Sequence, residues 1–425
     1  MKTFDLSALQ KPCECGREHT LVVKDIIIEH DALKKLKDML EDGILSGYSH
    51  PVILCDSNTL KAARGQMEEV IAALPVLELS PEGLHANNEG VALVEERIDK
   101  DADLILALGS GTIHDLSRYI AHEMGIDFVA CPTASSVDGF VSTVAAMTWN
   151  GMKATLPAVA PVYVIADTTV LSKAPYRLTA SGMSDLFGKY TALVDWRVAH
   201  LVTGEYICER ICRMELDAIN EVKECMAGLK SGDEEAHSRL MYALLLSGLA
   251  MQMVGNSRPA SCAEHHMSHF WEMKVLNEEL DALHGEKVGV GLLLVTREYH
   301  ALERRIREGS CSVKEWTGIE LDRIRDSFGK KGLYDATIKE NTPDPMEGIK
   351  ASDLEAKLTG IADIIRDGLP EEKELEDLLR RGGCCVTVGD IGLSEDIIPP
   401  SLELSCYVRN RLSLMRLKKM IGNHS

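Results

Sequence analysis

The chain has 425 residues, 45% of them hydrophobic and 26% charged. That is ordinary globular composition, which excludes a small stapled scaffold and a largely disordered chain. Basic residues number 46 against 66 acidic ones, for a net charge of −20, and they form no long run; an overall field of that sign disfavours nucleic acid as a partner.

Length alone suggests two or three domains at about 150 residues each. No apolar stretch approaches the roughly 20 residues needed to cross a bilayer. The opening MKTFDLSALQ lacks an apolar signal region. A cytoplasmic protein without a membrane partner is expected.

In chain order, short apolar runs first alternate with helical patterns. Strands are predicted at Ile26–Ile28, Pro51–Cys55, Val76–Leu79, Leu104–Leu108, Asp127–Ala130 and Val162–Ala166. Helical periodicity separates them, around residues 62–73, over Val91–Ile98 and up to about Met124. Strands spaced by helices predict a mostly parallel sheet covered on both faces.

Beyond about residue 170 the pattern turns helical, most clearly over Tyr206–Leu229, Glu234–Met253, Ala263–Leu283 and Leu292–Ile306. Ser352–Leu379 reads as a charged, solvated helical face broken at Gly368 and Pro370. The expected architecture is an N-terminal α/β Rossmann-like domain over residues 1–170. An all-helical domain over 171–425 follows, with the active site in the cleft between them.

Several motifs can carry chemistry. In Leu106-Ala107-Leu108-Gly109-Ser110-Gly111-Thr112-Ile113-His114-Asp115 a strand ends, glycines turn the chain and a helix begins. Backbone amides and a helix N-terminus there favour a phosphate. The full dinucleotide fingerprint needs a third glycine, and His114 stands in its place; a plain tight turn is the alternative.

Cys131–Ser142, rich in hydroxyls, follows the next strand and lies where open sheets bind ligands. It reads equally as a loop with capping residues. Asp56 ends a strand, where it can accept from a ribose hydroxyl or cap the next helix. His265 and His269, four apart, share a helical face, while His266 points roughly 100° away. With Asp185 and His284, two imidazoles and a carboxylate suit a divalent cation with an open position; core or surface histidines are the alternative.

Several of the twelve cysteines sit in apolar runs and read as buried thiols, Cys55 and Cys131 among them. Cys13-Glu14-Cys15 with His19 can bind a metal, although the one-residue spacing is not the usual two to four. Adjacent Cys384 and Cys385 carry no assigned chemistry.

GSGTIHD, PTASSVDGFVS, ASGMSDLFGKY, EHHMSH and HGEKVGVG occur in this order between residues 109 and 291, within a likeness that runs from roughly residue 20 to beyond 300. On these five motifs the chain resembles bacterial glycerol-1-phosphate dehydrogenases of the AraM type. Their superfamily also holds glycerol dehydrogenase, iron-dependent alcohol dehydrogenases and dehydroquinate synthase.

The resemblance implies an NAD- or NADP-dependent oxidoreductase that interconverts dihydroxyacetone phosphate and sn-glycerol 1-phosphate. It implies cofactor contacts at Asp56, Gly109, Ser110, Gly111, Thr112, Ile113, Thr133, Ser136 and Ser142. It implies one divalent ion, nickel or zinc, with iron in wider relatives, on Asp185, His265 and His284. Asp138, Asp185 and His269 are the implied catalytic and substrate-binding residues, and a homodimer is the implied assembly. Arg258, Lys189 and Lys153 are candidate partners of the substrate phosphate.

The chain departs from the family at Ser184, often glycine there, and at Cys262-Ala263, often Gly-Ser; each neighbours an implied ligand. Two other activities compete with the main reading. One is dehydrogenation of glycerol or another polyol or alcohol. The other is a metal- and NAD-dependent lyase of the dehydroquinate synthase type.

Overall fold

The computed structural model describes residues 3–423. The chain divides into two compact units. The first takes in residues up to Asn150, Ala154–Leu186 and Arg213–Asn256. The second takes in Gly151–Lys153, Phe187–Cys212 and everything from Ser257. This division is more interleaved than a single boundary near residue 170. The Glu234–Val254 helix explains part of the difference. Its Gly248 packs so close to the loop after the fifth strand that a Cβ there would stand 2.7 Å from the Asp138 carbonyl oxygen.

The first unit is built on a parallel sheet. Its strands are β1 (Asp25–Glu29), β2 (Pro51–Asp56), β3 (Val76–Leu79), β4 (Leu104–Gly109), β5 (Asp127–Pro132) and β8 (Tyr163–Asp167). Two further strands, β6 (Val144–Trp149) and β7 (Met152–Pro157), form a separate two-stranded sheet. The six-stranded order is β1-β8-β5-β4-β2-β3, every pairing parallel. β2 and β4 are buried along their whole length. That is why they read as continuous apolar runs, since helices cover both faces. One core packs Ile53, Leu104, Leu106 and Val129 against Leu60, Ala63 and Met67 of the Ser57–Ala73 helix. All six predicted strands are present, within a residue or two at each end.

The hairpin β6–β7 was not anticipated. Its turn is Asn150-Gly151, with φ of 51° and 80°. Two left-handed residues in succession suit a tight hairpin turn, and Asn-Gly is the pair that adopts them at least cost.

The second unit is mainly helical. The helix expected over Ala263–Leu283 ends at Glu272. Lys274 turns left-handed at φ 54°, and the Asn277 amide donates to the Trp271 and Glu278 carbonyls, which replaces helical bonds. The next helix runs from His284 to Arg307, starting eight residues before the predicted Leu292. The two helices cross closely, because a Cβ on Gly291 would stand 2.7 Å from the Glu264 carbonyl oxygen.

The expected solvated segment Ser352–Leu379 forms three helices, with the predicted break after Gly368. The solvated reading holds for one face only. Leu354, Ile361, Ile365, Leu375 and Leu379 are buried, and Gly368 packs on Val194. Charge density in the sequence masked this apolar stripe.

Candidate active site

In the first unit β4 delivers the chain into the glycine turn, and the Gly111–Met124 helix starts immediately. Ser110 is its N-cap but makes no side-chain capping bond. The first amides of the helix are therefore not closed off by their own cap, which suits an anion. Gly109 is required sterically, since a Cβ there would meet Ile113 at 2.4 Å. Thr133 N donates to the Gly109 carbonyl at 2.9 Å, tying the hydroxyl loop to the glycine turn.

His114 does not intrude on this turn. Its ring is buried edge-on to Phe140, and Nδ1 bonds the Ser110 carbonyl at 2.9 Å. A carbonyl only accepts, so Nδ1 carries the proton. Burial is the main cause that pushes the His114 pKa down to about 3, and Arg118 adds to it.

Arg118 was missed in the sequence. It is fully buried and donates to the carbonyls of His114, Phe140 and Ser142 at 3.2, 3.1 and 3.0 Å. An arginine on the apolar face of an amphipathic helix was the available signal. It gives the 140–142 stretch donors that no secondary structure there would supply.

Asp56 caps the Ser57–Ala73 helix. Its Oδ1 accepts from Asn58 N and Thr59 N at 2.9 and 3.0 Å, and Thr59 reciprocates in a capping box. Ser142 is engaged locally, since its hydroxyl bonds the Val144 carbonyl and amide. Thr133, Ser135 and Ser136 are buried in the hydroxyl loop.

Asp138 and Asp185 meet in this unit. Asp138 N donates to Asp185 Oδ2 at 3.0 Å, and Ser247 Oγ donates to Asp138 Oδ2 at 2.8 Å. The Tyr176–Phe187 helix carries Asp185 and approaches the loop through Gly182. A Cβ on Gly182 would stand 2.1 Å from the Ser135 carbonyl oxygen. Ser184, beside Asp185, buries its hydroxyl without a hydrogen-bond partner.

The second unit gathers the histidines. Ring centroids of His265 and His284 lie 5.2 Å apart, and His269 stands 6.0 and 5.5 Å from them. Two imidazoles bound at 2.0–2.1 Å to one tetrahedral ion would place their centroids about 5 Å apart. The His265–His284 spacing fits.

Each of these two rings leans on a carboxylate. His265 Nδ1 bonds Glu264 Oε1 at 2.7 Å, and His284 Nδ1 bonds Glu272 Oε1 at 2.9 Å. Such a bond fixes Nδ1 as the protonated nitrogen and presents Nε2 as a donor to metal. His269 Nδ1 is buried without a partner, an orphaned polar atom within the cluster. His266 is buried beside arginines, and neither of its ring nitrogens has a hydrogen-bond partner.

Glu264 and Glu272 were not singled out from sequence. Glu264 is fully buried and also accepts from Thr191 Oγ1 at 2.7 Å and Cys262 N at 2.9 Å. Burial alone would raise the Glu272 pKa, but Lys153, Lys287 and His284 hold it well below the carboxylate range. Lys153 Nζ lies 3.0 Å from Glu272 Oε2, and Lys287 Nζ 3.4 Å from Oε1.

Of the three basic candidates, Lys153 alone is seen at the imidazole cluster. Arg258 is spent on Glu205 and the Asp195 and Leu412 carbonyls, and Lys189 is fully buried at the start of the Lys189–Thr203 helix. Arg409, not named from sequence, donates to the Lys153 carbonyl. Cys262 is buried against Arg258, and burial pushes its thiol well above the usual range. Cys55 and Cys131 are likewise pushed up, each to about 12, by burial.

Residues 27–175 match the family model described as iron-containing alcohol dehydrogenase. A probable glycerol dehydrogenase from Sinorhizobium meliloti shares the fold at TM-score 0.60 and 16% identity, over 92% of this chain and 91% of its own. An archaeal alcohol dehydrogenase from a Red Sea brine pool does so at TM-score 0.58 and 17% identity, over 93% of each chain.

In sequence the likeness is narrower. A glycerol-1-phosphate dehydrogenase [NAD(P)+] of Bacillus licheniformis is 35% identical over 96% of this chain and 92% of its own length. One from Geobacillus thermodenitrificans is 34% identical over 70% of this chain and 75% of its own. The chain belongs to the glycerol-1-phosphate dehydrogenase family.

Proposed function

We propose that the protein is an NAD(P)-dependent glycerol-1-phosphate dehydrogenase, interconverting dihydroxyacetone phosphate and sn-glycerol 1-phosphate. The observation that carries the reading is the imidazole cluster. Two carboxylate-backed histidines stand beside a third histidine and a basic border of Lys153 and Lys287. A divalent ion and an anionic substrate both find complementary groups there, against a net charge of −20 for the whole chain.

His265 and His284, with Asp185, hold the ion, nickel or zinc in this reading and iron(II) as the further candidate. When bound, the ion would supply Lewis-acid chemistry at the ketone oxygen, and the nicotinamide would supply hydride chemistry. Gly109–Ile113, Thr133, Ser136 and Ser142 line the cofactor's place, and Asp56 faces its ribose. Asp138 and Asp185 orient the substrate's hydroxyl end, while His269 meets the oxygen that gains or loses the proton. Lys153 and Arg409 take the phosphate. Fixed donors of this kind bind substrate without reorganising during reaction.

The same reading includes a homodimer and a cytoplasmic location. The location is supported by twelve cysteines, none in a disulfide. Among the described residues no helix is long and apolar enough to cross a membrane.

The test is turnover of NADH and NADPH by purified protein across a metal series, with dihydroxyacetone phosphate, dihydroxyacetone and glycerol as substrates. Metal-dependent oxidation of the nicotinamide with the phosphorylated ketone, giving the sn-1 product on chiral analysis, is expected. Equal rates with the unphosphorylated substrates would move the reading to a polyol dehydrogenase. Product formation with no net change in nicotinamide would move it to a lyase.

A further inference from the structure

One motif plays no part in this chemistry. Cys13-Glu14-Cys15-Gly16 and His19 lie ahead of β1, in the first unit. Gly16 is left-handed at φ 77°, and its N–H donates to the Cys13 carbonyl at 3.1 Å. A Cβ at Gly16 would meet nothing within 4 Å, so the glycine serves the turn and not a close approach. The turn brings the two thiols round towards His19, which an extended chain would not do.

His19 is buried, and its Nδ1 bonds the Met253 carbonyl at 2.7 Å. That carbonyl can only accept, so Nδ1 carries the proton. Nε2 then presents its lone pair, and Cys15 Sγ lies 3.4 Å from it. Candidate ligand atoms of Cys13, Cys15 and His19 all lie within 4.8 Å of one another. With bonds of about 2.3 Å to sulfur and 2.0 Å to nitrogen, a tetrahedral ion separates such a pair by about 3.5 Å.

We propose that Cys13, Cys15 and His19 form a second metal site, separate from the histidine cluster, for a soft divalent ion of the zinc class. Binding makes two sulfur–metal bonds and one nitrogen–metal bond, and the two thiol protons leave to solvent. The backbone carbonyl behind His19 plays the orienting part that Glu264 plays behind His265. The role is structural. An ion there pins the segment before β1 to the end of the Glu234–Val254 helix, where Val22 N also bonds Gln252 Oε1 at 3.0 Å.

The competing account is that the 3.4 Å contact is only a thiol–imidazole hydrogen bond. Metal content and the cobalt-loaded spectrum of the full-length protein separate the two. Wild type is expected to retain two equivalents of metal per chain after dialysis. The Cys13→Ser/Cys15→Ser variant should retain one and still turn over, and His284→Ala should retain one and not turn over. Cobalt should give a sulfur-to-metal charge-transfer band in wild type and in His284→Ala, absent from the double serine variant.

No sulfur band in cobalt-loaded wild type would overturn the proposal, and that result needs no variant to fold. Equal metal content in wild type and a folded double serine variant would overturn it too. A failure of the catalytic reading would instead show as His284→Ala keeping all its metal, with the sulfur band unaffected.

Discussion

Replacing Glu264 with glutamine should weaken metal binding while leaving the second unit folded. Glu264 is fully buried, and its two oxygens receive three donors: His265 Nδ1 and Cys262 N on Oε1, and Thr191 Oγ1 on Oε2. A glutamine can keep its carbonyl oxygen towards His265 and Cys262. Its amide then faces the Thr191 hydroxyl, which accepts as readily as it donates. Shape and tautomer survive, and only the negative charge behind the imidazole is lost.

Loss of such an outer partner typically costs 10–100-fold in metal affinity. With the hydrogen bond preserved, the lower end applies, about tenfold or ~1.4 kcal/mol. Glu264→Ala should behave differently. It strands three buried donors at about 1–3 kcal/mol each, so the apoprotein itself should melt at a lower temperature. Chelator competition gives the metal Kd, and thermal unfolding of the apoproteins gives the stability. A Glu264→Gln protein that binds metal as tightly as wild type would refute the reasoning. So would a Glu264→Ala apoprotein that melts like wild type.

Acid should destabilise the first unit through His114. Its folded pKa of about 3 lies below the ordinary 6.5. Its contribution is therefore complete above pH 6.5 and lost as pH falls towards 3; at pH 5 the loss is about 2 kcal/mol. Urea midpoints measured from pH 7 to 4 should fall more gently in His114→Asn. Gly182→Ala puts a methyl against the Ser135 carbonyl, and should cost about 3 kcal/mol by overpacking and weaken nicotinamide binding, as read by calorimetry. Lys153→Ala should raise KM for dihydroxyacetone phosphate by about ten- to a hundredfold, the worth of one charged hydrogen bond. KM for unphosphorylated dihydroxyacetone should barely move.

The strands were legible because β2 and β4 are buried on both faces and so carry uninterrupted apolar runs. The hairpin was legible too, through Asn150-Gly151, but no strand pattern beside it drew attention to that pair. The stop at Glu272 was not legible, since the Asn277 side chain that replaces the helical bonds acts from outside the helix. In the site, the histidines stood out by spacing. Glu264 and Glu272 did not, because a glutamate in a helix ordinarily reads as solvated charge. Their meaning lies in what they face. Lys153 was named beside two other basic residues, and only three-dimensional neighbourhood separates it from the buried Arg258.

Asp56 constrains how this enzyme can change its nucleotide preference. One oxygen of its carboxylate closes the Ser57–Ala73 helix, and the proposed ribose contact uses the same side chain. In this reading, favouring a 2′-phosphate over a bare ribose means removing that negative charge, yet an alanine there gives up a cap worth about 1 kcal/mol. Only asparagine, serine, threonine and glycine lose the charge and still suit the cap. A change of nucleotide preference made at this position is therefore confined to a short mutational path, set by the stability of a helix and not by the cofactor alone.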